Sequence, residues 1–172
     1  EIRLSLVGSE MCIRDREQSR KLDPLLSSKT GRKIRIGALF GDTPFSVSDA
    51  NSKIQKQSSS SLDFDLLRCK TRDCPGKMRW SQDHMAQGRE ILACTSCNHV
   101  VGEDEIGLTR QALQKTPPDI LFTTTEMLNQ NLANHYQNHL FGVGPSKGPT
   151  LVLLDEVHTY GGNTGAQTAF LI

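Results

Sequence analysis

Apolar residues fall into short runs separated by turn formers, and the runs change character along the chain. Ile34, Ile36, Ala38 and Phe40 recur at every second position, the period of a strand, and the pattern stops at Gly41-Asp42-Thr43-Pro44. Before it, Glu17 to Ser28 mixes charges with Leu22, Leu25 and Leu26, as at the end of an amphipathic helix broken near Pro24. Lys29 to Lys33 is a basic turn around Gly31. Phe45 to Ser61 is polar and serine-rich with little periodicity, which predicts a surface helix or a mobile loop. Lys77-Met78-Arg79-Trp80 and Glu90-Ile91-Leu92-Ala93 read as two short strands, and Gln111 to Gln114 is a polar stretch closed by Thr116-Pro117-Pro118.

The last third is clearer. Asp119-Ile120-Leu121-Phe122-Thr123 is too short for a helix and rich in strand formers. Thr124 or Thr125 can cap a following helix, with Glu126 in its first turn and Met127, Leu128, Leu132 and Tyr136 at helical spacing. Gly142 to Pro149 is a loop. Thr150-Leu151-Val152-Leu153-Leu154 is apolar without alternation, as in a central strand covered on both faces. Gly161-Gly162-Asn163 turns the chain, and Ala166 to Ile172 begins a helix. Strands alternating with helices predict an α/β fold with a parallel, doubly wound sheet, whose ligands bind beyond the carboxyl ends of the strands.

Composition narrows this little. The 172 residues are 36% hydrophobic and 23% charged, ordinary for a soluble domain. A net charge of +1 gives no global signature of a nucleic-acid binder, and 5% aromatics argue against a base-stacking platform. No apolar run approaches the ~20 residues that span a bilayer, so no membrane partner is expected. Residues 1–16 (EIRLSLVGSEMCIRDR) lack the features of a signal peptide and resemble a translated sequencing-adapter stretch; the alternative is a native amphipathic strand or helix. The apolar pattern also breaks off at Phe170-Leu171-Ile172, so both ends are expected to be cut.

Candidate chemistry sits in two places. Asp155 and Glu156 directly follow the last apolar run, where two carboxylates at a sheet mouth are costly unless a cation offsets them. Phosphoryl-transfer sites use that placement, although an acidic turn after a strand is also common. Four of the five cysteines form two close pairs, Cys69-x4-Cys74 and Cys94-x2-Cys97, separated by 19 residues. That spacing suits tetrahedral thiolate coordination of Zn2+, with an iron–sulfur cluster as the main alternative metal group. Pro75-Gly76 and Asn98 supply the turns, His84 and His99 are read as bystanders, and Cys12 belongs to the adapter-like stretch. Arg68, Lys70, Arg72, Lys77 and Arg79 gather around the first pair, mildly favouring nucleic acid as its partner.

Asp155-Glu156-Val157-His158 resembles the DEVH form of motif II of superfamily 2 helicases. The continuation from Thr159 to Gln167 is similar to that of the large Lhr-like branch. Pro117 to Leu128 resembles the segment with motif Ib, Ile36 to Pro44 the strand and GDT turn before it, and Gln18 the close of motif Ia. The resemblance implies a partial RecA-like sheet of the P-loop NTPase type, with a zinc-ribbon-like insert. It implies that Asp155 contacts the Mg2+ of ATP through water, that Glu156 activates the hydrolytic water, and that His158 couples the nucleotide to a second RecA-like domain. Gly41, Asp42, Thr43, Thr123, Thr124 and Thr125 would line the track of a DNA or RNA strand. It divides the chain into residues 17–67 and 102–172 of the motor domain around an insert at 68–101, in a cytoplasmic enzyme. There is no GxxxxGK[ST] loop in the chain, and nothing of a second motor domain, so the piece alone should be inactive. The competing reading is a non-enzymatic zinc-ribbon module that binds nucleic acid or protein.

Overall fold

The computed structural model describes residues 4–7, 31–56, 61–145 and 148–154. The helix end expected over Glu17 to Ser28, Gln18, Cys12, the DEVH box and everything after it lie outside the described residues. In chain order the strands are β1 (Leu4–Val7), β2 (Ile36–Leu39), β3 (Ser61–Arg68), β4 (Lys77–Ser81), β5 (Leu92–Cys94), β6 (Val100–Val101), β7 (Ile106–Gly107), β8 (Ile120–Thr123) and β9 (Leu151–Leu154). The α-helices are α1 (Val47–Lys56), α2 (Gln82–Ala86), α3 (Arg110–Lys115) and α4 (Thr125–Leu132), with a 3-10 turn at Asn138–Phe141.

Two sheets result, so the fold is α/β with a small parallel and a small antiparallel sheet. The parallel sheet has the order β7-β2-β8-β1-β9. Its central strand β8 is buried at every position, so Ile120 and Phe122 pack on one face with Ile34 and Ile36. Leu121 packs on the other with Leu39, Leu113, Met127 and Leu140. Short non-alternating apolar strands covered on both faces are what a parallel sheet requires. Gly37 belongs to this packing: a Cβ there would meet the Leu113 side chain and Pro118. Leu4–Val7, from the adapter-like stretch, forms the strand between β8 and β9, pairing with both.

The antiparallel sheet, β3-β4-β5-β6, runs from Ser61 to Val101. It carries Met78, Trp80, Leu92 and Val101 on one buried face, and these share a core with Ala50 and Ile54 of α1 and with Ile106 and Leu108 beside the parallel sheet. The antiparallel sheet is therefore joined to α1 and to the neighbourhood of β7 by apolar burial.

Two readings from pattern are sharpened and two need adjusting. The polar segment after Pro44 is a helix, α1, anchored by Ala50 and Ile54 and opened by Asp49 in its first turn. Gln111 to Gln114 lies within helix α3, held by the Thr109 cap and one buried residue, Leu113. Helix α4 ends at Leu132, and Tyr136 lies beyond it, 80% exposed. The apolar run at Leu151–Leu154 is an edge strand among the described residues, with Leu151 45% and Leu153 40% exposed. An apolar run specifies burial in principle but not which neighbours supply it.

Candidate metal centre and carboxyl edge of the parallel sheet

Two hairpin knuckles bring the cysteines together. The first follows β3: Asp73 takes a left-handed conformation (φ 57°) directly before Cys74, and Gly76 follows at a position where a Cβ would collide with Cys94 Sγ and with Ser96. The second joins β5 to β6, with Asn98 left-handed (φ 55°) directly after Cys97. Short polar residues tolerate that conformation, and glycine alone fits against the sulfur. The Thr71 amide donates to Cys69 Sγ at 3.4 Å and the Ser96 amide to Cys94 Sγ at 3.5 Å, the pattern that stabilises thiolates.

All four Sγ atoms lie within 4.8 Å of one another, with Cys69–Cys97 at 3.3 Å and Cys74–Cys94 at 3.6 Å, and all four are free thiols. A tetrahedral ion about 2.3 Å from each sulfur would set the sulfurs about 3.8 Å apart, so the cluster fits one ion such as zinc. A multi-iron cage with its own bridging sulfides needs more room between the thiolates. The thiols differ in acidity. Cys97 is pulled down to about 6 by the Thr71 hydroxyl and the His99 amide, and Cys94 is lowered by the amides of Cys97 and Ser96. Cys74 receives the Gly76 amide, which favours its thiolate, yet burial and its three thiol neighbours push it up to about 12. The thiols of the second knuckle are thus favoured in their charged form and Cys74 in its neutral one.

The basic residues around the first knuckle are largely engaged. Lys70 pairs with Glu105 at 2.5 Å, Arg79 with Asp63 at 2.7 Å, and exposed Arg72 lies 3.9 Å from Asp73. Glu105 also takes Lys33 at 2.9 Å. Burial opposes its ionisation, but the two lysines hold the carboxyl below the usual range.

The second group of residues lies at the carboxyl edge of the parallel sheet. Register aligns Leu39 of β2 with Thr123 of β8, Thr123 with Val7 of β1, and Val7 with Leu154 of β9. The Gly41-Asp42-Thr43 turn and the Thr123-Thr124-Thr125 segment therefore leave neighbouring strands at the same edge. Asp155, Glu156 and His158 follow β9 in the chain but lie outside the described residues. Gly41 and Asp42 are exposed, and Thr125 is half-buried. The other hydroxyls are engaged internally. Thr43 Oγ1 donates to the Ala38 carbonyl and accepts from the Phe40 amide. Thr123, fully buried, donates to the Leu39 carbonyl, and Thr124 caps α4 by accepting from the Met127 amide at 3.2 Å.

Two residues that pattern reading passed over organise this edge. Arg110, first in α3, donates from Nε to the Thr43 carbonyl at 3.0 Å and from Nη2 to the carbonyls of Gly41 (3.0 Å) and Phe40 (3.3 Å). Glu90 is buried and accepts from the amides of Leu108 (2.6 Å) and Thr109 (3.2 Å) and from the Thr109 hydroxyl (2.5 Å). The only sequence signal for either was Thr109, a good cap residue.

A cavity of about 890 Å3 lies elsewhere, near the amino ends of β2 and β8, lined by Arg32, Lys33, Glu103, Asp104 and Asp119 among others. Two of its cations pair within it, Arg32 with Asp119 and Lys33 with Asp104. Among the described residues no helix is long and apolar enough to cross a membrane. No family model, curated protein or solved structure matches the chain.

Proposed function

We propose that the chain is part of the first, RecA-like motor domain of an ATP-dependent superfamily 2 helicase or translocase acting on DNA or RNA, with a zinc-ribbon-like insert. The observation that carries this reading is the row of strand ends Leu39, Thr123, Val7 and Leu154 in one parallel sheet. The three segments that resemble helicase motifs each leave that row: the GDT turn from β2, the threonine segment from β8, and Asp155-Glu156-Val157-His158 from β9. A parallel sheet gathers its ligand chemistry at this edge. In the reading, Asp155 holds Mg2+ through water, Glu156 takes the proton of the attacking water, and His158 links the nucleotide to the second motor domain. Gly41, Asp42, Thr43, Thr123, Thr124 and Thr125 border the nucleic-acid strand. Since the proton of Thr123 is engaged by Leu39, strand contact falls chiefly to exposed Gly41 and Asp42 and to Thr125 at the start of α4. The phosphate-gripping loop is supplied by a longer parent protein.

The test is Glu156→Gln in that parent. Hydrolysis should fall by roughly two to four powers of ten, the usual contribution of a general base, while ATP binding persists. Wild-type turnover in the variant would remove Glu156 from the mechanism. The four-cysteine cluster favours a second reading, a zinc-ribbon module that binds nucleic acid or protein without catalysis. A zinc-loaded parent lacking any nucleic-acid-stimulated ATPase would leave that reading standing.

A further inference from the structure

The four-cysteine cluster and the Gly41–Thr43 turn lie on different sheets, yet hydrogen bonds and short stretches of chain join them in series. Glu90 directly precedes Ile91 and the strand β5 that ends in Cys94, a cluster sulfur. Its carboxylate accepts both the Leu108 and Thr109 amides and the Thr109 hydroxyl. Thr109 in turn caps α3 by accepting from the Ala112 amide at 3.1 Å. The next residue, Arg110, spans the carbonyls of Phe40, Gly41 and Thr43, and the amides of Arg110 and Gln111 donate to Pro44 and Phe45, each at 3.0 Å. The turn is thus fastened to the first residues of a six-residue helix, whose own start is fastened to the metal-binding sheet.

A helix this short has little stability of its own, so its first turn depends on the tertiary bonds that hold it. The insert depends on its ion in a similar way, since knuckles of this kind order when thiolates are neutralised by metal. We propose that metal occupancy of the Cys69, Cys74, Cys94 and Cys97 cluster sets the order of the Gly41–Thr43 turn, with Glu90 and Arg110 as the positioning residues of the relay. With zinc bound, β5 is fixed, Glu90 holds the α3 start, and Arg110 holds the turn in one conformation. Without zinc, Glu90 is released, two buried amides and a hydroxyl lose their acceptor, and the turn is freed. The relay itself does not depend on what the turn binds; that it would make strand engagement metal-dependent rests on the helicase reading above.

Hydrogen exchange on the full 172-residue chain, without nucleotide or nucleic acid, tests the relay separately from that reading. The reporters are the Thr43 amide, which donates to the Phe40 carbonyl, and the Arg110 and Gln111 amides. The Leu128 amide inside α4 is the control. Chelating zinc should speed exchange at the reporters about ten- to a hundredfold, as expected on losing hydrogen bonds to a charged group, and leave Leu128 little changed. Glu90→Leu removes both acceptor oxygens but keeps all four sulfurs, so it should retain one zinc per chain while its turn exchanges fast whether or not zinc is present. Arg110→Lys keeps the charge but cannot span three carbonyls, and should free the turn while leaving the cluster loaded. A wild-type turn equally protected with and without zinc overturns the proposal, as does a zinc-loaded Glu90→Leu turn that responds to zinc as the wild type does. Failure of the parent to hydrolyse ATP would overturn the helicase reading and leave the relay intact.

Discussion

At the scale of single residues, the four-cysteine cluster is an electrostatic problem met by the Thr71 hydroxyl and backbone amides. Cys97 and Cys94 are acidified by hydrogen bonds from Thr71, His99, Cys97 and Ser96, while Cys74 is driven the other way, to about 12. Zinc needs thiolates, so binding near neutral pH must displace the Cys74 proton. The sign follows: falling pH opposes binding, and more steeply once Cys97, near 6, also takes up a proton. Competition titrations from pH 8 to pH 5 should therefore show apparent zinc affinity dropping throughout, with the slope increasing below about 6. A pH-independent affinity would mean that the thiols are not the ligands. The cluster was legible in the sequence because a knuckle is local, with two cysteines and a turn within a few residues. The residues that position them were less so. Asn98 and Gly76 were recognisable as turn formers, but the left-handed Asp73 and the buried carboxylate of Glu90 take their meaning from partners distant in the chain.

Among elements, legibility follows the same physical line. Strand β8 and the Thr124 cap of α4 could be read directly, because a short strand-forming run and a capping hydroxyl carry their own signal. Helix α3 could not, since Thr109, Leu113 and a contact from another sheet hold it. Nor could the edge position of β9, which depends on sheet order. The insert has its own reporter, because the single tryptophan, Trp80, is 1% exposed in the core that joins β4 and β5 to α1, with its Nε1 donating to the Arg89 carbonyl. Removing zinc should expose it, red-shifting and weakening its fluorescence, and Cys94→Ser with Cys97→Ser should do so without chelator. The parallel sheet gains its burial from Phe122, Leu39 and Leu113, outside that core, so far-ultraviolet circular dichroism should fall only in part. Complete, cooperative loss of structure on chelation would instead make the two sheets a single folding unit. An unchanged Trp80 signal would remove the metal from the fold's support.

The whole molecule poses the last question, which is what the row of strand ends can do by itself. It aligns the exits of β2, β8, β1 and β9 at one edge, and so supplies a place for an acidic pair, a turn and a helix start. What the sequence lacks is a glycine-rich loop ending in Lys and Ser or Thr, the element that cradles the phosphates with amides and neutralises them with a lysine. Arg110, a basic group that the structure describes at this edge, is already engaged by the Phe40, Gly41 and Thr43 carbonyls. In the proposed reading, two carboxylates without such a counter-charge would repel a triphosphate, and Mg2+ would not by itself fix its geometry. In the proposed parent, an arginine supplied from a second motor domain would be worth on the order of 10³ to 10⁵ in rate. The full 172-residue chain, purified and zinc-loaded, should therefore show no ATP hydrolysis above blank, with or without single-stranded DNA or RNA, and only weak nucleotide binding. The measurement is phosphate release over hours at high protein concentration, with Glu156→Gln as the control. Robust hydrolysis abolished in that variant would mean that the chain grips phosphate with residues other than the missing loop, and the proposed division of labour with a parent protein would fall.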